Sequence, residues 1–196
     1  MTSQSALFLG QFLRSPAVIG AVAPSSRRLS SAVCVPVPER GDPVVLELGP
    51  GTGPFTAEIQ RRLGGRGRHV AVEINTRLAG HLAERHPGVE VVVDSAANLP
   101  ALLARRGLAA ADVIVSGLPW AAFSYGRQSA VLRAVVDSLA PDGAFTTFSY
   151  VHARALPPAV RFRGRLTTAF EEVVPGRTVW RNLPPAFVYH ARRPRR

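Results

Sequence analysis

The chain has 196 residues, 46% of them hydrophobic and 19% charged, which is the composition of one compact domain and excludes a disordered tail. All 24 basic residues are arginine, and against 13 acids they leave a formal charge of +11, so an anionic partner is expected. A single cysteine, Cys34, excludes an internal disulfide and a multi-cysteine zinc centre, leaving a metal-free cytoplasmic protein as the expectation.

The segment from Met1 to Leu13 lacks the basic start of a secretory signal, and Gly10 and Gln11 break its apolar run. Pro16, Pro24, Pro36 and Pro38 punctuate residues 1–40, which read as an appended helical segment, a lid or a membrane contact, ahead of one domain over residues 41–196. Short apolar runs then alternate with helical periodicity. Strands are expected at Val44 to Leu48, Val70 to Glu73, Val89 to Val93, Asp112 to Ser116 and Ala144 to Tyr150. Helices are expected over Phe55 to Leu63, after Asn75 as a cap, and after Ser129, where Val131, Leu132, Val135, Val136 and Leu139 keep three-to-four spacing. Two further strands, Glu172 to Arg181 and Ala186 to Ala191, have no helix between them and read as an antiparallel pair closing one edge. The longest run without Asp, Glu or Arg, Val113 to Gly126, is short of the roughly 20 residues of a membrane-spanning helix. The fold class is therefore α/β, a mostly parallel Rossmann-like sheet with a C-terminal antiparallel hairpin and helices on both faces.

The run "VVLELGPGTG" carries the strongest chemical signal, a buried strand followed by Glu47, Gly49, Gly51 and Gly53 at alternate positions and then a helix. Glycines there let backbone approach a ligand closely, and the helix start presents unpaired N–H groups. The spacing departs from the dinucleotide G-x-G-x-x-G, and without lysine the chain has no phosphate loop of the G-x-x-x-x-G-K type. The second strand ends in Glu73, where an acid can accept both hydroxyls of a ribose. The third ends in Asp94, followed by Ser95 and Ala96, suited to an adenine amine and ring edge. Acids at three successive strand ends beside a glycine loop describe a cleft for an adenosine that carries positive charge.

On these residues the chain resembles the class I S-adenosylmethionine-dependent methyltransferases over roughly residues 40–150. The resemblance implies a seven-stranded sheet and S-adenosylmethionine as cofactor, with Glu47, Gly49, Gly51 and Gly53 at the methionine end, Glu73 on the ribose and Asp94 on the adenine. The fourth strand ends "DVIVSGLPW", where nucleic-acid adenine methyltransferases carry Asn-x-Pro-aromatic; Ser116 and Gly117 stand there instead, which argues against base methylation. Together with "GAVAPSSRRLSSAV", "FSY" and "VWRNLPPAFVY", this motif resembles the bacterial phospholipid N-methyltransferases, which methylate phosphatidylethanolamine, and more distantly the ribosomal RNA adenine dimethyltransferases.

That likeness implies an enzyme acting on lipid head groups at a membrane surface, peripherally associated with it. Ser116, Trp120 and Tyr150 are the expected catalytic residues, Ser116 also touching the cofactor, and Tyr125 and Tyr189 are expected to contact the substrate. Arg161, Arg163 and Arg165 alternate as on a strand and are candidates to hold a lipid phosphate. The charge asymmetry agrees: residues 1–142 hold 14 arginines and 11 acids, residues 143–196 hold 10 arginines and two acids. RNA is the second acceptor class, disfavoured because nothing after residue 143 resembles a helical target-binding domain. A small molecule or peptide is the third. No obligate protein partner is implied.

Overall fold

A computed structural model describes residues 25–196. Seven strands form one sheet: β1 Val44–Leu48, β2 Arg68–Glu73, β3 Glu90–Val93, β4 Ala111–Ser116, β5 Leu139–Tyr150, β6 Phe170–Pro175 and β7 Ala186–Pro194. Their order is β3-β2-β1-β4-β5-β7-β6. Strand β7 pairs antiparallel with both β5 and β6, and the other pairs are parallel, as the sequence pattern implies.

Six α-helices cover the sheet among the described residues: α1 Arg27–Val33, α2 Pro54–Leu63, α3 Thr76–Arg85, α4 Leu99–Ala104, α5 Tyr125–Ser138 and α6 Pro157–Ala169. Side chains alternate across each strand, so Val45, Val113, Val115 and Val188 pack with Leu29, Phe55 and Ile59 on one face. Leu46, Leu48, Ile114 and Phe145 pack with Leu102, Val135, Phe162 and Leu166 on the other.

Asn75 caps α3 as expected, its Oδ1 accepting from the N–H groups of Arg77 and Leu78. Helix α5 begins earlier than expected. Its cap is Ser124, whose Oγ accepts from the Arg127 N–H, so Ser129 lies inside the helix; Gly126 mimics a turn in the sequence and hides the true start. Helix α6 has no counterpart among the expected elements. Its buried positions, Ala159, Phe162 and Leu166, have helical spacing, and two prolines occupy its first turn. The alternation of Arg161, Arg163 and Arg165 masked that period.

Strand β6 stops at Pro175, short of the expected Arg181, and only Val179 returns to bridge Ala186. Helix α1 sits in the same packed body, with Leu29, Val33 and Cys34 wholly buried. The Ser26 N–H donates to Asn182 Oδ1 at 2.9 Å, joining two segments 156 residues apart that both carry the lipid-enzyme resemblance. The expectations for residues 1–24, including their apolar start, lie outside the described residues.

Candidate active site

The carboxyl ends of β1, β2, β3 and β4 open onto a cleft of about 200 Å³. Gly49 and Gly51 form its floor, both in the left-handed region at φ of 64° and 57°. A Cβ on Gly49 would lie 2.7 Å from Leu118 Cδ2, whereas the space beside Gly51 is open, leaving room for a ligand against the loop. Gly117 brings the β4 loop against the same backbone: its N–H donates to the Leu48 carbonyl, and a Cβ there would meet the Gly49 carbonyl oxygen at 2.7 Å.

Glu73 is buried in the cleft wall. One carboxylate oxygen accepts from the Gly51 N–H at 3.2 Å and the other from the Asn75 N–H at 3.0 Å. Burial pushes its pKa above the ordinary carboxylate value, against the opposing effect of these backbone donors. Asp94, Ser95 and Ala96 also line the cleft. Asp94 accepts from the Ser95 N–H, Asn98 Nδ2 and Arg105, and although its partial burial opposes ionisation, these donors and the Arg105 charge hold its carboxyl below the usual range. Glycine cradle, buried ribose-type acid and strand-end aspartate fit an adenosyl sulfonium.

Two of the cofactor candidates lie outside the cleft lining. Glu47 does not line the cleft: it is fully buried, its Oε2 accepting from Thr56 Oγ1 at 2.8 Å and paired with His69 Nε2 at 3.1 Å, so it ties β1 to α2 and β2. Gly53 also lies off the cleft, because its bare backbone serves packing. As the N-cap of α2 it has φ of 87°, and a Cβ would sit 2.9 Å from Leu82 Cδ1 and 3.2 Å from His86 Nε2.

A second, apolar cavity of about 440 Å³ adjoins the cleft, the two sharing Gly117, Leu118, Pro119 and Phe148. Tyr150 and Tyr189 line it, and burial raises the pKa of both phenols. Trp120 lines it too, but its ring is stacked on Phe162 with centroids 4.4 Å apart and its Nε1 donates to Ser116 Oγ at 3.0 Å. Ser116 reaches neither cavity. Its hydroxyl oxygen accepts from Trp120 Nε1 and from the Leu118 N–H, so it fixes the β4 loop that both cavities share.

The remaining substrate expectations separate. Tyr125 is 67% exposed at the start of α5, outside both cavities. Arg165 lies over its ring at 3.8 Å and donates to its carbonyl. Arg161, Arg163 and Arg165 stand on a helix, so they do not form one strand face; Arg163 lines a pocket of about 240 Å³. Sequence reasoning missed Ser25, Phe123 and Arg127 in the cleft and His152, Leu156 and Phe162 in the apolar cavity. Arg127 lies over Phe123 at 4.4 Å, and desolvation lowers its pKa. The misplaced start of α5 hid Arg127, and the unrecognised α6 hid Phe162. His152 stacks on Tyr150 at 5.6 Å, a contact with no local signature.

A doubly wound sheet with a glycine loop and a ribose-type acid at its carboxyl edge defines a class I S-adenosylmethionine-dependent methyltransferase. Residues 45–143 match the model of the methyltransferase domain family, and the chain belongs to that family. An ornithine lipid N-methyltransferase of Singulisphaera acidiphila is 36% identical over 192 residues, covering 95% of this chain and 94% of that one. Among solved structures, TrmN from Thermus thermophilus aligns with a TM-score of 0.66 at 18% identity, over 85% of this chain and 48% of its own. Human methyltransferase-like protein 13, in complex with S-adenosylhomocysteine, aligns at 0.63 and 17%, over 85% and 81%. A Thermotoga maritima O-methyltransferase aligns at 0.65 and 13%, over 93% and 71%. These structures establish the likeness of fold.

Proposed function

We propose that the protein transfers a methyl group from S-adenosylmethionine to the primary amine of a membrane lipid, of the phosphatidylethanolamine or ornithine-lipid kind. The observation that carries this reading is the apolar cavity joined to the cofactor cleft at Gly117–Pro119. The ornithine lipid N-methyltransferase, similar over nearly the whole chain, supports the same class of acceptor. When bound in the cleft, S-adenosylmethionine supplies a methyl group on a sulfonium. The amine lone pair forms the new N–C bond as the S–C bond breaks, its electrons return to sulfur, and the nitrogen sheds a proton.

This chain's part is placement and desolvation. A primary ammonium has a pKa of roughly 10, so the acceptor must be held in its neutral form. Leu118, Pro119, Phe148 and Tyr150 surround it with apolar and aromatic surface, which disfavours the charged amine and stabilises the methylated cation through π contact. His152, beside Tyr150, is the side chain of this cavity suited to take the proton.

The edge that opens the cavity also suits a membrane. Leu156, on the cavity wall, is 50% exposed, and the β6–β7 loop presents Trp180, 72% exposed, and Leu183 next to the exposed Arg177 and Arg181. Apolar anchors ringed by arginines match the interface of an anionic bilayer. Among the described residues no helix is long and apolar enough to cross a membrane. The test is incubation with methyl-labelled S-adenosylmethionine and vesicles holding phosphatidylethanolamine or ornithine lipid, followed by separation of lipid, RNA and small-molecule fractions. Label in the lipid supports the reading; label confined to RNA or to soluble amines overturns it.

A further inference from the structure

A third pocket, of about 240 Å³, backs onto the apolar cavity, and Tyr189 is a wall of both. Its other walls include Arg154, Arg163 of α6, Thr178 and Phe187. The Arg154 guanidinium lies 5.8 Å from the Phe187 ring centroid, and that ring meets Tyr189 edge to face at 5.0 Å. No acidic side chain lines the pocket, and neither arginine forms an ion pair among the described residues. Six arginines elsewhere are held in ion pairs, Arg61 and Arg62 with Glu58, Arg68 and Arg106 with Glu90, Arg105 with Asp94, and Arg193 with Glu172. Both pocket arginines act on the Tyr189 phenol, so their field reaches the partition between the two cavities.

We propose that Arg154 and Arg163 form a binding site for the anionic group, phosphodiester or carboxylate, of an amino-lipid whose amine lies across the Tyr189 partition at Gly117–Pro119. The assignment rests on the lipid reading above and adds the feature the enzyme selects, a negative group a short chain away from the amine. Planar guanidinium groups suit carboxylate and phosphate oxygens by paired donation, and the Thr178 hydroxyl is a further donor in the same pocket. Arg161 and Arg165 stay outside the site, the first on no wall and the second packed on Tyr125.

Two measurements on the full chain test this, using wild type and the Arg154→Gln/Arg163→Gln double variant. Calorimetry measures binding of short-chain phosphatidic acid below its micelle concentration, with inorganic phosphate as a separate titrant. In detergent micelles, methyl transfer is compared between phosphatidylethanolamine and a long-chain alkylamine lacking an anion. S-adenosylmethionine affinity within about twofold of wild type reports an intact cleft. The expected result is at least roughly tenfold weaker phosphatidic acid binding and a similar rise in KM for phosphatidylethanolamine, with a much smaller change for the alkylamine.

Equal phosphatidic acid binding by both proteins overturns the site. Inorganic phosphate binding as tightly as the lipid overturns its assignment to a lipid group. Loss of phosphatidic acid binding in the variant, with no transfer by wild type to any lipid amine, keeps the anion site and overturns the lipid methylation reading instead.

Discussion

The cofactor half of this molecule and the half proposed to take the acceptor are built by different means. Around β1, β2 and β3 the cleft is made of backbone: glycines at positive φ, N–H groups aimed at Glu73, and carboxylates fixed at strand ends. Around β5, β7 and α6 the cavity is made of side chains from distant parts of the sequence, with Trp120 stacked on Phe162 and Tyr150 on His152. A shared cofactor asks for invariant hydrogen-bond geometry, which backbone supplies. An acceptor asks for shape and desolvation, which packed rings supply.

Phe162→Ala breaks the acceptor half most severely. The ring is 3% exposed and covers the Trp120 indole, so its removal is expected to cost about 3–5 kcal/mol of stability, read from the denaturant midpoint. In the folded fraction S-adenosylmethionine affinity should hold while transfer collapses. An equal loss of both would mean that the halves are not separable.

Gly117→Ala strikes the junction. The added Cβ meets a backbone oxygen, which has nowhere inexpensive to move, so the β4 loop must shift away from Gly49. A displacement of about 1 Å at reacting atoms costs about 10²-fold in rate. Calorimetry and a transfer assay on the same sample should show cofactor affinity and turnover falling together, the pattern no variant confined to one half produces.

Glu73→Gln isolates the cofactor half. Replacing an acceptor-only carboxylate removes charge-assisted bonds to a diol, for a loss of roughly 10- to 100-fold in S-adenosylmethionine affinity. Because burial raises the folded-state pKa of Glu73, its titration favours the fold at low pH, and this contribution disappears as pH rises through that pKa. The variant should therefore lose less thermal stability at pH 7 than cofactor affinity. In wild type, binding depends on the ionised carboxylate and should weaken on acidification at a higher pH than an ordinary carboxylate would dictate; a flat calorimetric profile there would remove Glu73 from the ribose site.

The contrast between the halves also sets what the sequence reveals. Strand β1, the glycine loop and Glu73 are legible because each position is constrained by backbone conformation or by its place at a strand end, and such constraints leave local residue patterns. Glu47 shows the limit. It stands where the motif implies a ligand contact, yet strand alternation turns it under α2 toward Thr56 and His69, and no local signal announces His69. The acceptor half is less legible for the same reason throughout: α6 was hidden by an arginine alternation with the period of a strand, while its apolar spacing of Ala159, Phe162 and Leu166 was present but diluted by Pro157, Pro158 and Gly164. Tyr189 is legible only through motif likeness, because most walls of the cavity it lines come from other segments.

Ser116 offers the finest test, since it touches neither cavity and yet stands beside both. Ser116→Ala removes the oxygen that accepts from the buried Trp120 Nε1 and the Leu118 N–H, leaving those donors unmatched at a cost of roughly 1–3 kcal/mol. If the residue acts only by positioning, cofactor affinity should stay within about twofold, and acceptor turnover should fall about tenfold as Trp120 and Leu118 relax. Repeating the substitution in a Trp120→Phe background separates the roles. With no indole N–H to satisfy, the second change should cost measurably less than in wild type, whereas a serine hydroxyl that contacts the reacting amine would cost the same in both backgrounds.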